Sequence, residues 1–248
     1  MLCAIPLWFA PDGKTLLTAN GKLEDGKAEI SECTFQSWDV ATSRPKTALL
    51  SISEPVISGD VSSDGKTGAY SLMDGSVKII RGDKGESTTT LQLDEPVFWM
   101  RFSPDDQSLA TCTQNGPPLI WDLASQRKKA AFTNGFGIQL VVFSTDGKTL
   151  ASVSSDGIAR LWDVATQRTL ATFKGHQDWI INAAFSPDGK LLATASFDRT
   201  ARLWEIASGR EQVLRGHREK VFAVVFSPDG RTLATGSFDD TVDRKSVV

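Results

Sequence analysis

A single phrase recurs along this chain at nearly constant spacing. It consists of an aromatic or aliphatic residue, two small residues and a tight turn, as in the segment FSPDGK, and it begins at Phe9, Val61, Phe102, Phe143, Phe185 and Phe226. From the second start onwards the intervals are 41, 41, 42 and 41 residues. In three units a Trp follows the starting Phe by 19 residues, at Trp121, Trp162 and Trp204. A fixed period of this length predicts one supersecondary unit repeated along the whole chain.

Each unit is predicted to contain four short strands. In the fifth unit these strands span 179–185, 191–197, 200–205 and 211–214. Asp-Gly pairs stand between strands, where Gly supplies a positive φ and Asp bonds its own backbone. These pairs begin at Asp12, Asp64, Asp146, Asp188 and Asp229. The period-two patterning argues against helices, so the predicted fold class is all-β.

The stretch 185–205, FSPDGK…LATASFD…ARLWE, resembles the near-consensus repeats of the bacterial WD-repeat family. This resemblance implies a β-propeller of four-stranded blades. It predicts six units, with third strands that end near residues 39, 81, 122, 163 and 205 and an incomplete sixth unit. The second unit departs from the pattern, because Ile79-Ile80-Arg81 replaces Leu-Trp-Asp. In the first unit Phe9 and Trp38 are 29 residues apart instead of 19, and we expect the insertion near 20–31 to form an extended loop.

The units at both ends of the sequence lack part of the four-strand pattern. We therefore expect a fragment of a larger protein that forms an open arc. Residues 1–242 are assigned to the propeller and 243–248 to a non-native tail, because DRKSVV places charge where Arg-Leu-Trp-Asp is expected. The codons GAT CGG AAG AGC GTC GTG can encode this tail and match a common sequencing-library adapter.

Composition disfavours several classes of partner. The 248 residues include 27 basic and 30 acidic ones, a formal net charge of −3, which gives no field that would attract nucleic acid or an anionic membrane. Cys3, Cys33 and Cys112 show neither a paired framework nor metal-ligand spacing, so a reducing, cytoplasmic location is expected. The apolar opening segment is interpreted as a strand.

The two histidines, His176 and His217, both follow a Gly and precede a first strand. The family resemblance implies that such a His belongs to a buried hydrogen-bond network, here His176, Ser196, Asp198 and Trp204. We expect a structural role for this network because no nucleophile is fixed beside either imidazole. The chain is therefore predicted not to be an enzyme.

No cofactor or metal ion is expected. The acidic turns lack the alternating oxygen ligands and the terminal Glu of a calcium loop. The sequence also has no glycine-rich phosphate loop, no zinc-ligand spacing and no nucleophile elbow.

Variable loops are the remaining place for function. Asp178 and Trp179 precede the first strand of the fifth unit, and Phe197 and Arg199 flank its turn Asp. The corresponding positions of the family resemble a partner-binding face, which would take a protein or peptide through aromatic and Arg anchors. The alternative is that Trp179 packs beneath the loop as part of the core.

The leading functional hypothesis is a non-enzymatic scaffold for protein–protein interaction. Two alternatives stay open at this point. One is a regulatory module of a larger bacterial multidomain protein, for example one attached to a kinase. The other is a propeller enzyme, which would need acidic, basic or metal-ligating residues on the innermost strands, where we note only small and apolar ones.

Overall fold

The computed structural model describes residues 7–9, 15–23, 30–52, 56–81, 87–133 and 137–247. Every regular element in these ranges is a β-strand, which confirms the predicted all-β class. Among the same residues, no helix is long and apolar enough to cross a membrane. The chain divides into two compact units, 1–109 with 123–126 and 110–122 with 127–248.

The strands form successive antiparallel sheets. The first contains β1 (Leu7–Phe9), β2 (Thr15–Leu23), β3 (Ile30–Asp39) and β4 (Arg44–Ile52). The second contains β5 (Val56–Val61), β6 (Thr67–Leu72), β7 (Ser76–Arg81) and β8 (Ser87–Gln92). The third contains β9 (Val97–Phe102), β10 (Ser108–Thr113), β11 (Leu119–Asp122) and β12 (Arg127–Ala131).

The remaining sheets repeat this order. The fourth contains β13 (Ile138–Phe143), β14 (Thr149–Ser154), β15 (Ile158–Asp163) and β16 (Thr169–Lys174). The fifth contains β17 (Ile180–Phe185), β18 (Leu191–Ser196), β19 (Ala201–Glu205) and β20 (Glu211–Leu214). The sixth contains β21 (Val221–Phe226), β22 (Thr232–Ser237) and β23 (Val242–Ser246). Neighbouring strands in sequence are neighbours in each sheet, which is the blade arrangement that the period predicts.

The Asp-Gly pairs form the turns between first and second strands. In the fifth sheet the Ser186 hydroxyl donates to Asp188 Oδ1 at 2.6 Å, and the Lys190 amide donates to the same oxygen at 3.1 Å. Gly189 has a φ of 70°, in the left-handed region that a Cβ disfavours. The same Ser-Asp arrangement recurs at Asp64, Asp146 and Asp229. Asp12 lies outside the described residues.

Small side chains on β18 face the sixth sheet. Ala193 and Ala195 lie on one face of β18 and form a buried cluster with Val221, Val224 and Leu233 of the sixth sheet. The methyl groups let the two sheets approach closely, which is why alternating Ala residues are suited to this strand.

The third-strand Trp packs on the opposite face, against the preceding sheet. Trp204 stacks on Phe173, with ring centroids 5.1 Å apart and an interplanar angle of 23°. Trp162 contacts Phe132 with ring centroids 5.4 Å apart, although these rings are tilted at 50°. The Trp of the repeat is therefore a contact between sheets as well as a member of its own strand.

The insertion in the first unit differs from the prediction. We expected an extended loop near 20–31, but β2 continues to Leu23 and β3 begins at Ile30, with Asn20 paired to Thr34 and Lys22 to Glu32. Most of the described inserted residues therefore lengthen a hairpin, because continued pairing satisfies backbone groups that an open loop would leave to water. Residues 24–29 lie outside the described ranges.

The last strand of the sixth sheet carries charge where the fifth carries apolar groups. Leu233 pairs with Lys245, whereas the equivalent Leu192 pairs with Trp204. By the same register, Arg244 occupies the position of Leu203. These residues belong to the segment 243–248, whose assignment as a non-native tail stays a prediction, as does the open arc.

We expect the triple substitution D243R/R244L/K245W to stabilise the protein. It restores the Arg-Leu-Trp of the fifth sheet, and burial of the Trp side chain at position 245, on the face directed at the fifth sheet, should raise the free energy of unfolding by about 2 kcal/mol. Thermal and denaturant unfolding would measure the change. The control is Lys190→Trp, at a turn Lys whose side chain is 79% exposed. A midpoint for the triple variant no higher than that of the parent would contradict the prediction.

Candidate functional site

A buried hydrogen-bond network ties the loop before β17 to the second and third strands of the fifth sheet. His176 Nδ1 lies 2.7 Å from Asp198 Oδ2, and His176 Nε2 lies 2.8 Å from Thr194 Oγ1. The Trp204 indole N–H donates to the same Thr194 oxygen at 3.0 Å. The Thr200 hydroxyl donates to Asp198 Oδ1 at 2.6 Å. The His176 side chain is fully buried.

A neutral imidazole with its proton on Nδ1 satisfies this whole set. The Trp204 indole then donates to Thr194, the Thr194 hydroxyl donates to His176 Nε2, and His176 Nδ1 donates to Asp198. Each buried donor has an acceptor, so the usual cost of desolvating polar groups is offset throughout the chain of bonds. Both ring nitrogens of His176 are occupied by this arrangement.

The observed network differs from the predicted one in its strand hydroxyl. The prediction named Ser196, but the Ser196 hydroxyl donates to the Asp178 carbonyl at 3.1 Å and accepts the Asp198 amide at 3.1 Å. The register explains the difference. Trp204 pairs with Leu192, so its indole reaches the diagonal neighbour Thr194, whereas Ser196 lies a further two residues along the strand.

Asp198 is the electrostatic centre of the network. Burial raises the pKa of its carboxyl, but hydrogen bonds from His176 and Thr200 and from the Gln177 amide outweigh this effect and hold the pKa well below its ordinary value. The ionised form is therefore the one that the folded loop stabilises.

The sixth sheet keeps both the carboxylate and its His partner, whereas the fourth sheet keeps only the carboxylate. In the sixth sheet His217 Nε2 lies 2.9 Å from Thr235 Oγ1, and its Nδ1 lies 3.2 Å from Asp239 Oδ2. In the fourth sheet, Arg160 Nη2 donates to Asp156 Oδ2 at 2.7 Å. The equivalent third-strand guanidinium of the fifth sheet, Arg202, lies 4.0 Å from Asp198 Oδ2. The indole bond also persists in the fourth sheet, from Trp162 to Ser152 at 2.9 Å.

We use "rim" for the loops that precede the first strand and follow the second strand of a sheet. At the rim of the fifth sheet, Trp179 and Phe197 stack with centroids 6.0 Å apart and an interplanar angle of 11°. The Phe197 amide donates to the Trp179 carbonyl at 2.9 Å, which fixes one loop to the other. The Trp179 side chain is 47% exposed, so its packing against Phe197 leaves much of the indole facing solvent and does not match the alternative of a core residue.

The other two predicted rim residues lie beside this stack. Asp178 is exposed, and its Oδ1 accepts the Trp179 amide at 2.8 Å. Arg199 is exposed and has a φ of 70°, a left-handed conformation in the turn that Asp198 organises. The structure therefore brings Asp178, Trp179, Phe197 and Arg199 to one edge of the fifth sheet.

One turn position changes freely from sheet to sheet. Each turn Asp of this type accepts the amide two residues later, at Asp74, Asp156, Asp198 and Asp239. The residues immediately before these four are Met73, Ser155, Phe197 and Phe238. Met73 and Phe238 are 58% and 56% exposed. The rim thus varies at the residue next to a conformationally fixed Asp.

Sequence reasoning missed Lys220 at the rim. Its carbonyl accepts the Phe238 amide at 3.0 Å, so Lys220 has in the sixth sheet the position that Trp179 has in the fifth. Its Nζ lies 4.3 Å from the centroid of the Phe197 ring. The 41-residue spacing between Trp179 and Lys220 was the available signal.

A buried ion pair on two first strands was also missed. We noted only small and apolar residues there, but Asp60 of β5 is 2% exposed and Arg101 of β9 donates to its Oδ1 at 3.3 Å. Asp60 Oδ2 accepts the Phe102 amide at 2.7 Å. Burial raises the pKa of the Asp60 carboxyl, and Arg101 and the amide offset this only in part. The expectation of only small and apolar residues on the innermost strands is therefore wrong for β5 and β9, whose Asp60 and Arg101 lie 41 positions apart in different units.

The comparison with protein families agrees with this geometry. The family model described as "WD domain, G-beta repeat" matches residues 133–163, 167–205 and 209–242. No curated protein matches the chain. The three matches cover the fourth and fifth sheets and the first two strands of the sixth, and they confirm the resemblance seen in the sequence. These three stretches contain WD repeats, and WD repeats generally mediate protein–protein interaction.

The shared hydroxyl of the network gives a stability prediction. Thr194→Val removes the acceptor of the Trp204 indole and the partner of His176 Nε2, so we expect a loss of about 3 kcal/mol in the free energy of unfolding. Ser196→Ala should cost only about 1 kcal/mol, because its backbone partners lie nearer the surface. Denaturant unfolding of both variants would measure this order. Equal losses would show that Thr194 has no special place in the network.

Asp198 gives a pH prediction. Because its pKa is lower in the folded than in the unfolded chain, its contribution is present above the ordinary carboxyl pKa of 3.8 and is lost as the pH falls. The stability difference between the parent and Asp198→Asn should therefore be full at about pH 7 and should shrink below about pH 4. Denaturant titrations across this range would measure it, with the exposed Asp240→Asn as control. A difference that stays constant with pH would refute this role for the ionised carboxylate.

Proposed function

We propose that this chain is a non-enzymatic interaction module that binds a protein or peptide through the rim of its fifth sheet. The contact residues are Asp178, Trp179, Phe197 and Arg199. The observation that carries the proposal is the stacked and half-exposed Trp179, held on a loop that a buried network fixes. The proposal retains the cytoplasmic location expected from the cysteine pattern.

The energetics of recognition support these residues as anchors. Trp and Arg are over-represented among residues that carry most of the binding energy of an interface. A side chain that is already ordered before binding loses less conformational freedom on association. Trp179 meets both conditions, because Phe197 packs against its ring and the Asp178 carboxylate accepts its backbone amide.

The burial and hydrogen bonds of His176 favour an interaction role for this chain over a catalytic one. A general base needs a nitrogen within reach of a bound substrate. Both ring nitrogens of His176 are engaged by Asp198 and Thr194, and its side chain is fully buried. The imidazole therefore acts on the loop geometry and not on a ligand.

A random 12-residue peptide library displayed on phage provides the test. Peptides selected on the immobilised parent chain would be synthesised, and their Kd values measured by fluorescence polarisation. We expect the double variant W179A/F197A to weaken binding by about 2 kcal/mol or more, since truncation of an anchor typically costs that much.

The matched control is Leu170→Ala, which removes a side chain that is 56% exposed on β16. It should leave the Kd unchanged. Circular dichroism and thermal melting of all variants would establish that they are folded. Selected peptides that bind W179A/F197A as tightly as the parent would refute the rim as the binding site.

A further inference from the structure

The rim of the fifth sheet combines its aromatic stack with cationic side chains. Lys220 Nζ lies 4.3 Å from the Phe197 centroid, and Arg199 follows Phe197 by two residues. We use "rim cluster" for Trp179, Phe197, Arg199 and Lys220. In the part of the chain that the structure describes, neither cation forms an ion pair with a carboxylate.

The acidic groups closest in sequence either form other hydrogen bonds or are exposed in the loops of the sixth sheet, to which Lys220 also belongs. Asp198 is bonded to His176 and Thr200, and Asp178 Oδ1 accepts a backbone amide. Glu219 and Asp240 are exposed and belong to the loops of the sixth sheet. Asp240 has there the position that Arg199 has in the fifth sheet, and both residues have a positive φ.

The geometry points to a peptide that carries an acidic residue next to an aromatic or large aliphatic one as the partner of the rim cluster. This inference rests on the proposed function and deepens it. The apolar side chain of the peptide would cover the exposed face of Trp179. Its carboxylate would pair with the Lys220 ammonium, which retains donors beyond the one directed at the ring.

The contact with Phe197 makes Lys220 a better partner than an ordinary surface Lys. A cation over an aromatic face is only weakly stabilised at an exposed site, so the ammonium stays open to a stronger acceptor. The same contact restricts the long side chain before binding, which lowers the entropy lost when an ion pair forms. An apolar residue of the peptide beside the pair would exclude water and strengthen the attraction.

A peptide fits this surface better than a nucleic acid. Binding to a phosphate backbone depends on several cations arranged along it and on the release of condensed counterions. The rim cluster offers two cations, the neighbouring loops carry Glu219 and Asp240, and the chain has a net charge of −3. A peptide with one carboxylate beside an apolar side chain matches this small number of cations better than a polyanion does.

A double-mutant cycle on the selected peptides tests the inference. The cycle combines replacement of the peptide's Asp or Glu by the corresponding amide with Lys220→Met, which keeps an apolar stem on Phe197 and removes the charge. We expect the amide peptide to bind the parent about tenfold more weakly and to bind Lys220→Met as well as the acidic peptide does. Lys190→Met is the control, since Lys190 is exposed in the turn between β17 and β18, at the end of the fifth sheet opposite to its rim.

The outcomes separate this inference from the proposed function. Peptides that depend on Trp179 and Phe197 but show no acidic residue, or lose no affinity as amides, would overturn the acidic partner and leave the rim site standing. Peptides insensitive to W179A/F197A would overturn both. A fluorescein-labelled oligo(dT) 20-mer that binds the parent and not Lys220→Met, and displaces the peptide, would also overturn the inference, in favour of nucleic acid.

Discussion

The indole of the third-strand Trp holds the repeat together at two levels. Within its own sheet Trp204 donates to Thr194, and the same Thr oxygen reaches His176 and so the loop before the first strand. Between sheets the indole face stacks on Phe173. One side chain therefore couples strand register, loop position and the contact with the preceding sheet. Trp162 has the corresponding contacts with Ser152 and Phe132.

The sequence predicted the sheets well because their signals are local. A turn with Ser, Asp and Gly, alternating side chains and a Trp at fixed distance each act within one unit, and strands form where these signals place them. The extended hairpin of the first unit was not foreseen. Extra residues between two strands are compatible with either a loop or continued pairing, and only the partner strand decides between them.

The site was predictable only in part, for a related reason. His176, Asp198 and Trp204 follow from the repeat, but the choice of Thr194 over Ser196 depends on the diagonal reach of an indole across two strands. Contacts that join successive units were harder still. The Lys220 ammonium on Phe197 and the Arg101–Asp60 pair link residues 23 and 41 positions apart, and no pattern within one unit specifies them.

The residue before each turn Asp can change without loss of the hydrogen bond that stabilises the turn. Met73, Ser155, Phe197 and Phe238 differ in size and polarity, yet the next residue keeps the same backbone bond in each turn. A point substitution at this position alters what a partner meets without disturbing the bonds that hold the loop. Duplicated units can in this way acquire different binding specificities on the same fold. The variable residue contacts the partner, and the Asp that follows it stabilises the turn.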